Sequence, residues 1–166
     1  ADRVHSSYDL LFGETTLQEA AIASIIPGLD IVPATVDLSG AEVELVEFED
    51  RTHKLKKAFD EADADWDIVL IDCPPALGLL TVNALSAAKS VLVPLQCEFY
   101  ALEGLSQLLR TIEVAKESVN PDLVIDGVML TMYDQRNRLS DNVAADVRKH
   151  LGRAVLKTII PRNCPA

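Results

Sequence analysis

The stretch VLIDCPPALGLLTVNAL, Val69 to Leu85, decides how this chain is read. An apolar run ends on a charge, Asp72, and after Cys73 two prolines follow. A short run of Val, Ile and Leu, here IVLI at 68–71, reads as a strand buried on both faces of a parallel sheet. A carboxylate at its C-terminal end is costly unless a cation or hydrogen-bond donors meet it. In an open α/β sheet that end is where ligands sit. Mg2+, a hard ion often held through water, suits such a carboxylate. Pro74 and Pro75 supply no N–H and disfavour an immediate helix, so they fix the direction of the exit loop. Two plainer roles stay open for Asp72: capping the helix that follows, or bonding to amides of its own loop. A receiver-type phosphate acceptor is disfavoured, because no acidic pair and no lysine stand convincingly at other strand ends.

Further apolar runs of strand length lie on either side: LDIVP (29–33) after the turn pair Pro27-Gly28, VLVPL (91–95), LVIDGVML (123–130) and VLKTII (155–160). Helical patterns separate them. Thr16 and Glu19 have capping-box spacing and open a short helix toward Ser24. Residues 39–61 are charged and helical, with a break near Asp50, and Leu79 to Ala88 is a short apolar helix. Leu102, Leu105, Leu109 and Ile112 recur at three and four, one apolar stripe of a helix that Asn120-Pro121 stops. Ser140 caps a last helix running toward His150, with Gly152 just past its end. Strand–helix alternation predicts an α/β fold, a mostly parallel sheet with helices on both faces. Residues 1–166 read as a single domain, without repeat, low-complexity tract or linker.

Composition narrows the class. The 166 residues are 49% hydrophobic but only 5% aromatic, so the core must be aliphatic. No apolar run reaches the roughly 18 residues a membrane span needs, and ADRVHSSYDL has no signal-peptide core. Cys73, Cys97 and Cys164 have unrelated spacings and no CxxC pair, which points to reduced thiols rather than a disulfide frame or a zinc site. The net charge of −11 argues against a surface that binds nucleic acid all over. It is uneven, however. From 136 to 157 six basic residues (Arg136, Arg138, Arg148, Lys149, Arg153, Lys157) face two acids, Asp141 and Asp146, a net +4. A solvated helix face and a nucleic-acid surface are both open readings of that patch.

The opening stretch resembles the Walker B and switch II segment of ParA-type partition ATPases, in the ParA/MinD group of deviant Walker P-loop proteins. SSYDLL (6–11), PGLDIVPATVDLSGAEVEL (27–45), VPLQCEFYALEGLSQLL (93–109), LTMYDQRNRLSDNVAADVRKHLG (130–152) and IIPRN (159–163) are similar to the chromosomal, Soj-like branch in the same order. The resemblance implies a P-loop NTPase-like fold and a cytoplasmic, nucleoid-associated protein. It implies an ATP-bound dimer that binds DNA without sequence preference and is released when a ParB-type partner stimulates hydrolysis. By the same resemblance Asp72 is the Walker B aspartate that orders Mg2+ through water, with Cys73, Pro74 and Pro75 in switch II. Met132 and the Pro161, Arg162 and Asn163 segment flank the adenine of ATP. Glu98, Phe99, Tyr100 and Glu103 lie near the dimer face. The basic residues Arg136, Arg138, Arg148, Lys149 and Arg153 fall where the family binds DNA, through salt-dependent phosphate contacts.

The family pattern also includes KGGVGKTT, a glycine-rich loop that wraps phosphate in backbone N–H groups, and a switch I aspartate. Neither motif occurs in this sequence. The expectation is therefore an internal fragment of a ParA-like ATPase, lacking the first strands of the fold and inactive alone. ATP–Mg2+ binding by it is expected to be weaker than millimolar, roughly −4 kcal/mol. Two strands that flank the P-loop strand in the family are expected to show unpaired edges, favouring self-association. The alternative is a nonenzymatic ParA-like scaffold. A MinD-like membrane regulator is disfavoured, because the visible C-terminus offers no amphipathic helix with a basic face.

Overall fold

The computed structural model describes residues 5–63, 66–74 and 78–162. The chain forms two compact units, Ala1–Ala88 and Lys89–Ala166.

The first unit is mainly helical. α1 (Ser7–Phe12) opens where Asp9, buried, accepts from the backbone N–H and the hydroxyl of Ser6 at 2.8 and 2.9 Å. α2 (Leu17–Ala20) starts on the expected capping box: Thr16 Oγ1 accepts from the Glu19 N–H at 3.2 Å, and Glu19 accepts from the Thr16 N–H at 3.1 Å. The helix stops at Ala20, short of Ser24, because the chain turns into a hairpin of β1 (Ile22–Ala23) and β2 (Asp30–Ile31). The run 29–33 is thus not a buried parallel strand. Gly28, at φ 79°, lets it fold back antiparallel, with Ile22 opposite Ile31 and both exposed. The charged region 39–61 contains two helices, α3 (Leu38–Leu45) and α4 (Lys54–Asp60), interrupted around Asp50 as expected. α5 (Leu79–Ala87) follows. Its buried Asn83 is fully satisfied: Nδ2 donates to Arg51 O (2.7 Å) and Leu79 O (2.9 Å), and Oδ1 accepts from Leu55 N–H (3.2 Å). Leu10, Leu11, Leu17, Leu45 and Leu85 are buried, the aliphatic core the composition demands.

Residues 66–74 form no strand. Ile68 and Leu70 are 78% and 86% exposed, against the expected burial. A strand exists only through its ladder, and no described residue pairs with this segment.

The second unit is a parallel three-stranded sheet, ordered β3-β4-β5, from β3 (Ser90–Gln96), β4 (Val124–Tyr133) and β5 (Val155–Pro161). Val93 pairs with Val128 and Leu95 with Leu130, while Val128 pairs with Val155. β4 is the central strand, and Val128 and Leu130 within it are buried; β3 alternates, with Val93 and Leu95 buried and Leu92 exposed. α6 (Ala101–Ser118) and α7 (Arg138–Leu151) connect the strands and touch each other, so both crossovers lie on one face of this sheet. That one-sided cover explains the alternation in β3. α6 buries Ala101, Leu105, Ile112 and Ala115; α7 buries Ser140, Val143, Ala144 and Val147, the i, i+3, i+4, i+7 stripe. Gly152, at φ 53°, ends α7.

Candidate functional site

The C-terminal ends of β3, β4 and β5 lie side by side, which is where a parallel sheet presents its ligands. A cavity of about 290 Å³ opens there, lined by Cys97, Glu98 and Phe99 after β3, Met132 and Asp134 at the end of β4, Asn137, Leu139 and Ser140 at the start of α7, and Arg162 after β5. Two sets of residues singled out in the sequence thus meet: Met132 and Arg162, and Glu98 and Phe99. Arg162 Nη2 lies 3.6 Å from Glu98 Oε1, a bridge across the mouth between the ends of β5 and β3. The Arg162 backbone N–H donates to Tyr133 O at 2.9 Å. Pro161 sits opposite Tyr133 in the ladder and is not among the residues lining the cavity.

Met132 has φ 52°, the only non-glycine residue among those described in the left-handed region. The β4–β5 register shifts between Leu130 and Tyr133, so the strand bulges as it reaches the cavity. A residue held in this conformation is strained by roughly 1–3 kcal/mol, and such strain gathers at binding sites. Asp134, next in the wall, is tied to Arg136: the Arg136 backbone N–H, Nε and Nη2 reach its carboxylate at 3.0, 3.1 and 3.2 Å. These bonds and the guanidinium charge hold the Asp134 carboxyl below the usual aspartate range.

The helix behind the cavity starts differently from the sequence expectation. Asn137, not Ser140, caps α7, its side-chain oxygen accepting from the Leu139 N–H at 3.0 Å. Ser140 lies inside the first turn and turns its hydroxyl inward, toward Cys97 O (3.5 Å) and the Asp134 N–H (3.5 Å). Cys97, Asp134, Asn137, Leu139 and Ser140 are the cavity residues that the sequence did not mark as a site. An Asx residue two before the first helical leucine was the available signal. Burial raises the Cys97 thiol above its ordinary range, and the positive charge of Arg148 opposes that.

The basic residues divide. Arg136 is engaged with Asp134. Arg138, Lys149 and Arg153 are exposed and form no ion pair with another described residue, and Arg148 is half-buried on the flank of α7. Arg148 and Lys149 also sit in the last turn, where cations complement the helix dipole.

Asp72 belongs to the first unit. It is exposed, in the unpaired segment 66–74, and not at a strand end. Pro75 lies outside the described residues, as does Asn163. Cys73 and Pro74 are exposed; partial burial of its sulfur and the neighbouring Asp72 carboxylate raise the Cys73 thiol. No group of three or more His, Cys, Asp or Glu among the described residues could hold a metal. One carboxylate fits an Mg2+ ion that takes its other ligands from water and phosphate, and not a cage made by protein alone. Leu80 N–H donates to Glu42 Oε1 at 3.3 Å, and a Cβ at Gly78 would lie 1.8 Å from that oxygen, so only glycine leaves room for the carboxylate at the start of α5.

The groove beside β3 is larger, about 510 Å³, and mainly apolar, with Val93, Leu95, Leu105, Leu108, Phe99 and Tyr100 in its lining. Phe99 and Tyr100 are both exposed and pack edge to face at 5.2 Å. Glu103 follows in the first turn of α6.

Residues 1–125 match the AAA-domain family. The chromosome partitioning protein ParA of Caulobacter vibrioides is 54% identical over 158 residues, 94% of this chain and 59% of that protein. The chain belongs to this family. It falls with the ParA/Soj partitioning members, since the sporulation initiation inhibitor protein Soj of Bacillus subtilis is also 47% identical over 163 residues, 98% of this chain and 64% of Soj. The P-loop NTPase-like fold agrees. The crystal structure of cobyrinic acid a,c-diamide synthase from Mycobacterium smegmatis with bound ATP analog and magnesium superposes with a TM-score of 0.88 at 41% identity, covering 98% of this chain and 66% of that one. This ParA/Soj-type chain therefore spans about three-fifths of the length of the curated relatives it matches. No described helix is long and apolar enough to cross a membrane.

Proposed function

We propose that this chain, residues 1–166 as one functional domain, is the nucleotide- and DNA-facing part of a partitioning ATPase that segregates chromosomes or plasmids. One observation carries the reading: a single helix, α7, lines the strand-end cavity with its first turn and bears Arg148 and Lys149 in its last. At about 290 Å³ the cavity lies at the low end of ligand pockets, the size for one base rather than a whole nucleotide. In this reading Met132 offers an apolar face to the adenine of ATP. The Asn137 amide, whose oxygen is already used by the cap, keeps its N–H donors for a ring nitrogen. The resemblance also assigns Pro161 and Asn163 to the adenine-side segment. Asp72 orders Mg2+ through water, and the bound ion neutralises phosphate charge.

Arg138, Arg148, Lys149 and Arg153 are the DNA surface, reading phosphate without sequence; Arg136 contributes less because Asp134 holds it. The exposed Phe99–Tyr100 pair suits a second copy of the protein, and a ParB-type protein is the proposed stimulating partner. The site of action is the nucleoid in the cytoplasm. The Mycobacterium structure is named a cobyrinic acid a,c-diamide synthase, but the more similar relative from Caulobacter carries a partitioning name, which favours partition.

The test is a DNA-binding isotherm of the full-length gene product at a series of salt concentrations with ATP and Mg2+. Arg148→Ala together with Lys149→Ala is expected to weaken binding and to flatten the log–log salt slope by about 2. An unchanged affinity and slope removes this helix from the DNA surface.

A further inference from the structure

The end of β4 and the side of α7 are joined by a bond that the proposed function does not use. Tyr133 follows the strained Met132 and donates its hydroxyl to the Asp141 carboxylate in the first turn of α7. Nearby, Ser140 bridges Cys97 O and the Asp134 N–H, but both contacts are 3.5 Å, at the weak limit. The Tyr133–Asp141 bond has an ionised acceptor and belongs to the strong class. It is therefore the principal polar tie between the wall of the cavity and this flank of the helix.

Asp141 and Arg148 are seven residues apart, two helical turns, and share one flank of α7. Asp141 is one of only two acids in the basic region 136–157, and its carboxylate is turned to the strand end rather than left facing the solvent cations. The Tyr133 phenol is held above its ordinary range, first by the bond to Asp141, and the charge of Arg148 pulls it back.

We propose that Tyr133 and Asp141 are positioning residues that couple the strand-end cavity to the basic end of α7, so that filling the cavity sets the placement of Arg148 and Lys149 for DNA. This rests on the reading of the cavity as a nucleotide site. A ligand seated against Met132 reaches the next residue, Tyr133, through the bulged end of β4, and the helix follows Tyr133 through Asp141. Energetic coupling between two such sites typically amounts to about 5–150-fold in affinity.

The experiment measures DNA affinity of the full-length gene product with and without ATP–Mg2+, and ATP affinity in parallel. In the unsubstituted protein ATP strengthens DNA binding; if it does not, the nucleotide-switched reading itself fails, whatever the variants do. Tyr133→Phe and Asp141→Ala are each expected to reduce the ATP-induced gain in DNA affinity about tenfold, with ATP affinity changed less than about threefold. Asp141→Asn keeps an acceptor for the phenol and is expected to retain most of the gain. The proposal is overturned if Tyr133→Phe leaves the gain intact. It is equally overturned if Asp141→Asn and Asp141→Ala both raise DNA affinity alike, the mark of simple charge repulsion, or if ATP and DNA affinities fall together with thermal stability, the mark of a merely structural role.

Discussion

The ends of β3–β5 and the segment 66–74 start from the same kind of sequence, an aliphatic run closed by a polar residue, and finish as opposites. In the second unit three runs pair in parallel, bury Val93, Val128 and Leu130, and gather their polar ends around one cavity. In the first unit the run 68–71 has no ladder partner among the described residues, and Ile68, Val69 and Leu70 are exposed. The difference teaches that β-propensity is permission, not cause. The backbone N–H and C=O groups must find partners, and only then does the aliphatic face become a core.

The largest effect expected from this contrast is in core truncation. Leu130→Ala, at a site with no exposed surface in the central strand, should cost about 2–5 kcal/mol in chemical unfolding. Leu70→Ala, at an 86% exposed site, should change stability by less than about 0.5 kcal/mol. Equal losses would mean that 68–71 is packed in solution and would dissolve the comparison.

A smaller effect is expected at the start of α5. Gly78→Ala pushes a methyl into the Glu42 carboxylate, which must leave the N-terminus of α5. About 1 kcal/mol of stability should be lost, and Glu42→Ala should lose a similar amount. The two changes together should cost little more than either alone, because they remove the same contact.

The smallest lies in the cavity wall. Arg136 lowers the Asp134 carboxyl, so the stabilisation this pair supplies is present above the unfolded aspartate value and fades as pH falls through the depressed folded one. Arg136→Ala should return the Asp134 titration, followed by carboxyl NMR, toward the ordinary aspartate range. A titration that does not move would show that the guanidinium is elsewhere in solution.

Much of the second unit was legible in the sequence. The Val- and Ile-rich runs gave β3, β4 and β5, the three–four spacing of Leu105 and Ile112 gave α6, and Gly152 marked the end of α7. In the first unit the Thr16–Glu19 box and α5 were equally legible, because each depends on neighbours a few residues away. What failed depended on distant partners. LDIVP became a hairpin arm because Gly28 lets it pair with Ile22 and Ala23, and 68–71 stayed unpaired. Within the site, the sequence named Met132 and Arg162 through their family motifs but could not show the left-handed backbone at Met132. Methionine carries no signal for that conformation; the register shift beside β5 imposes it. The cap moved from Ser140 to Asn137 for a local reason. Ser140 points into the wall, and Asn137 alone has a free oxygen over the first turn.

The proposal that reaches furthest is that Asp72 orders, through water, the Mg2+ that accompanies bound ATP. Calorimetric titration of ATP into the full-length gene product, with Mg2+ and with chelator, tests it for the unsubstituted protein and for Asp72→Ala. Mg2+ should strengthen ATP binding about tenfold or more in the first and less than about twofold in the second. An Asp72→Ala protein that keeps the full Mg2+ gain would contradict it.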